Sequence, residues 1–431
     1  MERRERHISG NLGLATVVAV SLVLAVMGVA AQAQTFSVLY SFTGGQDGGN
    51  PSTGLRFDVQ GRLLGTTYSG GRSDSGCDYP PGCGTAFRMT PSGSGWRFAP
   101  LLSFTMGHPN GRLTVGPNGT LYGTTYDGVY NLQPPASASA SVFPVWRQTL
   151  IYEFSFNQGF DSMGDVAFDA AGNLYGTNFL GGVVNTCSGG LGCGTVWELS
   201  QSGGSWGLSR FYKLTGHSDG IEPVSGVVLD QAGNVYVASS QGYYDNNAQW
   251  GAVFELTPSG SSWTETTLYD FQTGSGIIPV GGLISDNAGN LYGGTSATGE
   301  NGGGGTVFKL SFSGSQWNFS NLDVLTGGGS GRTGVEGKLM MDANGSLYGT
   351  TYADGAYGKG SVFMLTPGAG GWSYTTLHDF TGGSDGANPM STLVMDDNGN
   401  LYGTAYAGGN TGGHCDSGFG YQCGVVFEIT P

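Results

Sequence analysis

The sequence predicts an all-β fold, a seven-bladed β-propeller of four-stranded blades, and three observations predict it. A Leu-Tyr-Gly-Thr-Thr-Tyr motif recurs seven times, centred at 65, 123, 176, 237, 293, 349 and 403, a period of about 56 residues. Each of the first six repeats holds four segments with the β-branched and aromatic enrichment of strands. The C-terminal repeat lacks its fourth strand, and a matching strand stands alone at the other end of the chain.

Composition sets the bounds. Glycine supplies 82 of 431 residues, yet hydrophobic residues make up 38% and aromatics 12%, enough to bury a core. This excludes a disordered chain, and no strict G-X-Y period supports collagen. The formal charge is −15, with 16 Lys and Arg spread thinly. No basic stripe exists to neutralise phosphates, so nucleic acid is not an expected partner.

Residues 1–33 read as a secretory signal peptide. Arg3, Arg4 and Arg6 precede an apolar run from Leu14 to Ala31 and an Ala31-Gln32-Ala33 cleavage site. The rival reading is an uncleaved anchor, because the run could just span a bilayer. The expected location is therefore secreted, extracellular or periplasmic, with residues 34–431 forming one propeller and no membrane span once the signal is removed.

Within a repeat, strand a is the apolar segment before the first turn, as in Gly226-Val-Val-Leu-Asp230. Strand b is the Leu-Tyr-Gly-Thr-Thr-Tyr run, and strand c follows Gly84, Gly128, Gly194, Gly251, Gly305, Gly360 and Gly424. Strand d opens on Trp and ends eight residues later on an apolar residue, as in Trp96/Phe104 and Trp372/Phe380. Gln34-Thr-Phe-Ser-Val-Leu-Tyr-Ser-Phe42 repeats that spacing with Gln in the Trp slot. It is expected to complete the last blade and close the ring; a linear solenoid would leave it unexplained. Asp58, Asp169, Asp230, Asp286, Asp342 and Asp396 open Asp-x-x-Gly turns between strands a and b, where Asp bonds its own backbone and Gly supplies positive φ. In the second repeat Gly116 stands in place of that Asp. The Trp row reads as blade packing.

These motifs together, "GNLYGTT", "GTVFKL", "W…TTLYDF" and "FTGGSDGANP", resemble the GloVer-type (gloeo/verruco) tandem repeat of secreted bacterial proteins, over nearly all of 34–431. The resemblance implies an exported bacterial repeat protein. It implies no reaction and no catalytic residues.

Six cysteines fall in three local pairs within Gly-rich b–c loops: Cys77/Cys83, Cys187/Cys193 and Cys415/Cys423. In an oxidising compartment three loop-closing disulfides are expected. The zinc alternative at His414, Cys415 and Cys423 lacks a fourth ligand. The d–a and b–c loops share one face and vary in length, so binding is expected there. Asp47, Asp219 and Asp385 open the d–a loops, where they cap turns or bind calcium or sugar hydroxyls. Tyr68, Tyr126, Phe179, Tyr352 and Tyr406 end strand b on the same face, as blade packing or as a sugar or peptide platform. No HExxH, G-x-S-x-G or Walker-type motif occurs. His217, Asp219 and Glu222 form the densest polar cluster on a d–a loop and are the candidates for catalysis.

The expected function is a non-catalytic, monomeric scaffold that binds a polysaccharide or extracellular protein, needing no cofactor unless calcium. The alternatives are a polymer hydrolase or lyase using rim carboxylates, and a purely structural surface component.

Overall fold

The computed structural model describes residues 34–72, 77, 82–93, 95–116, 119–134, 146–183, 187–241, 250–298, 303–325, 333–409, 415 and 422–431. Residues 1–33, where the sequence leads one to expect a signal peptide, and His414 lie outside them. The described chain forms seven four-stranded antiparallel sheets, each running a-b-c-d in sequence order except the last. In that blade the fourth strand is Thr35–Ser41, paired with Val425–Thr430. The ring closes in the same register as the other blades: Phe42 N–H donates to Gly424 O at 3.0 Å, as Phe104 N–H does to Gly84 O. Among the described residues no helix is long and apolar enough to cross a membrane.

Strand a is shorter than the sequence suggests. Arg56–Phe57, Val228–Leu229 and Val394–Met395 are two-residue strands, and the residues leading into them line the central channel. Strand b is buried throughout, as in Leu347–Thr351. Its central glycine is a floor for the aromatic side chain that strand c lays across it. A Cβ at Gly349 would lie 2.5 Å from Phe363 Cζ, and Gly65, Gly293 and Gly403 meet Phe87, Phe308 and Phe427 in the same way. The c–d pair carries a register shift in each blade, so strand d bends around the outside.

Blades adhere through aromatic pairs. Trp96 stands edge-on to Tyr402 at 5.4 Å, and Trp206 meets Tyr122, Trp263 meets Tyr175 and Trp317 meets Tyr236. In each case the outer-strand Trp of one blade touches strand b of the preceding blade, so the Trp row fixes blade spacing. The tyrosine's hydroxyl then reaches the turn Asp of its own blade, as Tyr292 does with Asp286 at 3.0 Å. Asp286 also accepts from Ala288 N, Asn290 N and Asn290 Nδ2. In the second blade Tyr122 closes over the turn, and a Cβ at Gly116 would come within 2.4 Å of Tyr122 Cε2. The Tyr122 ring thus fills the space that the turn Asp takes in the other blades.

The three cysteine pairs form disulfides, Cys77–Cys83, Cys187–Cys193 and Cys415–Cys423, each stapling a b–c loop.

Candidate functional site

The d–a and b–c loops meet on one face. In five blades a d–a residue makes a bridge to a residue just past strand b, as in Gly49 with Ser69 and Ala387 with Ala407, and in the sixth blade Val335 pairs with Thr351, the last residue of strand b. In those five blades the residue after the bridge sits at positive φ and stitches two blades together: Asn50, Asp161, Glu222, Ile278 and Asn388 have φ of 55, 60, 60, 60 and 53°. Each backbone N–H donates to the preceding blade and each carbonyl accepts from its own, as in Asn50 N–H to Cys423 O and Tyr68 N–H to Asn50 O. Side chains at this seam position reach the same way. Asn50 Nδ2 donates to Tyr406 O at 3.1 Å, Asn388 Nδ2 to Tyr352 O at 3.0 Å, and His108 Nδ1 lies 2.7 Å from Tyr68 O.

The seam between the second and third blades departs from this pattern. Only residues 125–127 separate strands Leu121–Thr124 and Gly128–Gln133, where the other b–c loops are longer. With the loop gone, Asp161 N–H takes Tyr126 O itself at 2.6 Å, and the carboxylate has no carbonyl to serve. It accepts instead from Asn110 Nδ2 at 3.1 Å. Burial, helped by the charge of Asp127 and opposed by that bond, pushes its pKa up to about 6. The missing loop also uncovers an aromatic surface. Tyr126 is 48% exposed and Phe156 52%, and both rings flank Phe160, at 5.6 and 5.2 Å between centroids. Met163, 41% exposed, follows on the same loop. Tyr68 stacks on His108 at 4.4 Å on the neighbouring seam.

The other sequence-predicted residues are placed as follows. Asp219 is 1% exposed and caps its own turn, accepting from Tyr212 Oη, Thr215 N, Thr215 Oγ1 and His217 N. Asp47 and Asp385 do the same with Tyr40 and Thr43, and with His378 and Thr381. Glu222 turns away to Gln241 Nε2 at 2.8 Å, and His217 is exposed, so these three side chains face different partners. Phe179, Tyr352 and Tyr406 are half-buried at blade seams. Sequence reasoning missed Phe156, Phe160 and the role of His108. The available signal was Gly128 standing two residues after Tyr126, a b–c loop reduced to a turn.

A second concavity, a groove of about 540 Å³, lies between the fifth and sixth blades and is lined by Asp323, Asp354, Asp379 and Tyr374. Burial raises the Asp323 and Asp354 carboxyls above their usual range, the latter also through the charge of Asp379. Among the described residues no group of three or more His, Cys, Asp or Glu is arranged to hold a metal ion.

Fold and site together define a repeat propeller with a variable loop face. The Gloeobacter/Verrucomicrobia repeat family matches residues 182–415, more than half of the chain, and the chain belongs to that family. Among curated proteins no sequence match was found. Solved structures share the fold alone. A protein from Lactobacillus plantarum aligns at 14% identity and a TM-score of 0.51, over 80% of this chain and 88% of that one. PorZ, an essential bacterial surface component of the type-IX secretion system of Porphyromonas gingivalis, aligns at 13% identity and a TM-score of 0.50, over 91% of this chain. The extracellular domain of a proposed hybrid two-component system from B. thetaiotaomicron aligns at 12% and 0.51, over 92%. The aligned region spans 48% and 41% of those two longer proteins.

Proposed function

We propose that this is an exported, non-catalytic propeller that binds a polysaccharide through the loop face, with the seam between the second and third blades as the contact point. The observation that supports this is the Tyr126–Phe160–Phe156 surface beside the Asp161 carboxyl. Exposed rings present an apolar face to a sugar ring, and a neighbouring carboxyl takes its hydroxyls. The disulfide-tied loops accord with an oxidising, extracellular setting, and residues 1–33 with export.

The test is thermal unfolding of residues 34–431 against a panel of polysaccharides, with calcium and chelator arms. A ligand at 100 times its dissociation constant stabilises by roughly 2.7 kcal/mol, a visible shift. A shift that disappears in Tyr126→Ala/Phe156→Ala supports the reading. A shift that survives the double variant moves the contact elsewhere, and a shift with calcium alone makes the d–a acids ligands. No shift with any polymer sinks the glycan reading and leaves a protein partner or a structural role.

A second reading, a polymer hydrolase or lyase, is favoured by the Asp354/Asp379 groove. One carboxyl held above its usual range beside another is the pairing such chemistry uses. Product analysis with Asp354→Asn and Asp379→Asn separates it from the binder.

A further inference from the structure

The central channel is lined by the residues that lead into strand a, one set from each blade. The position just before the first core residue of strand a lines the lumen in six of the seven blades. Around the ring it is small in four blades: Gly54, Gly226, Gly282 and Thr392. In the other three it is Arg112, Asp165 and Lys338. Arg56, two residues further along the first blade, joins them at the end of the channel that opens toward the a–b turns, where a cavity of about 300 Å³ is lined by all four charged residues.

The small residues make room for the long ones. A Cβ at Gly54 would come within 2.9 Å of Arg112 Cδ, and one at Gly282 within 3.7 Å of Lys338 Cγ. The charges do not balance. Asp165 pairs with Arg112, accepting from its backbone N–H at 2.8 Å and lying 3.3 Å from Nε. Among the described residues neither the Arg56 guanidinium nor the Lys338 ammonium has a hydrogen-bond or ion-pair partner. Glu336, at the loop-face mouth, is engaged by Ser296 at 2.7 Å. Desolvation, then the like charge of Arg112, lowers the Arg56 pKa against the pull of Asp165. Desolvation also lowers that of Lys338, against Asp165 and with Arg112. Three cations thus converge on one carboxylate inside a chain whose formal charge is −15.

We propose that this end of the channel is an anion site that takes a small dianionic oxyanion, sulfate or phosphate, between Arg56, Arg112 and Lys338. Two surplus positive charges match one dianion, and the guanidiniums offer forked donors suited to tetrahedral oxygens, with the ammonium as a point charge. The site is on the opposite end of the channel from the loop face and stands whether or not that face binds glycan.

Sulfate binding to residues 34–431 is measured by calorimetry and by thermal unfolding against chloride at matched ionic strength. Sulfate stabilises most proteins by exclusion from their surface, so the variants decide. The expected result is saturable binding, weakened about tenfold or more in Lys338→Met and in Arg56→Met, since a hydrogen bond to a charged group accounts for that much. Asp165→Asn is expected to tighten it, because the competing carboxylate charge is removed while an amide oxygen remains for Arg112 N–H. A monosaccharide phosphate monoester at about pH 7.5, dianionic like free sulfate, distinguishes the source: binding of sulfate without the ester assigns a free ion, and binding of both assigns a site open to an esterified ligand. Absence of saturable binding overturns the proposal, and so does an equal sulfate response in the parent and all three variants. If one variant fails to fold, the other two still decide.

Discussion

The a–b turns and the blade seams sit at opposite ends of the same strands, and they have diverged to opposite degrees. Six turns carry the same Asp, each accepting from two backbone N–H groups, and in four of them, Asp169, Asp230, Asp286 and Asp396, an Asn and a Tyr side chain donate as well. The seam position is Asn50, His108, Asp161, Glu222, Ile278 and Asn388 in turn, on one backbone geometry in the five with φ between 53 and 60°. The lesson is that the turn residue is dictated by local bonds it cannot replace. At the seam the backbone does the stitching, which leaves the side chain free to vary. Variation on a fixed frame is where recognition arises.

The comparison is sharpest in the frame itself. Phe363→Ala removes a fully buried ring and is expected to cost about 3–5 kcal/mol, measured by chemical denaturation. Gly349→Ala, which pushes a methyl into that ring, is expected to cost about 1–3 kcal/mol. The double variant tests whether ring and floor are one unit. Its cost must fall below the sum of the two, because the new methyl enters the space the ring vacates. Simple additivity would break the claim that strand b keeps glycine for the aromatic above it.

Next in size are the two kinds of acid, whose pH dependence runs in opposite directions. Burial acts to raise the Asp286 pKa, but its bonds from Asn290, Tyr292 and Ala288 outweigh this and hold it below the ordinary value. Its contribution is therefore present above the unfolded pKa and is lost as pH falls through the lower folded value. Asp286→Ala is expected to cost about 1–3 kcal/mol near neutrality and to flatten the acid limb of the stability curve. Asp161 is raised to about 6, so the folded state holds its proton more tightly than the unfolded chain, and stability falls as pH climbs from about 4 through 6. Asp161→Asn is expected to stabilise at pH 7 by about 1–2 kcal/mol, discounted for its partial exposure, and to leave stability at pH 4 nearly unchanged. A variant less stable than the parent at pH 7 would break the contrast between seam and turn.

The frame was legible in the sequence because period, turn chemistry and strand alternation repeat. Seven copies of one motif gave the blade count, and Phe42, eight residues after Gln34, gave the closure. The site was legible only in part. Tyr126 stood out as a strand-b end, but so did Tyr352 and Tyr406, and nothing local distinguishes a tyrosine held in a seam from one left bare. What distinguishes Tyr126 is a loop that is missing, and the loop's absence acts on residues 156–163 of the next blade. Asp219 misled in the opposite direction. Its proximity to His217 and Glu222 along the chain reads as a cluster, while its oxygens are consumed by Tyr212, Thr215 and the His217 N–H. The channel cations were hidden for a related reason: Arg56, Arg112 and Lys338 come from three separate repeats, and only the ring brings them together.

The smallest effect on stability carries the largest consequence for function. Tyr126 lies outside the frame: its side chain is nearly half exposed, and the seam uses its backbone carbonyl, which alanine retains. Tyr126→Ala is expected to change unfolding stability by no more than about 0.5 kcal/mol. On the same protein, affinity for the polysaccharide that stabilises the parent is expected to fall by about tenfold, the order of an aromatic contact of 1–1.5 kcal/mol. Tyr406→Ala is the matched control. It too leaves a seam carbonyl in place, for Asn50, but its half-buried ring belongs to packing, so it should lower stability and spare binding. Reversal of the two outcomes would show that the missing loop marks no site, and that recognition follows the packed seams instead.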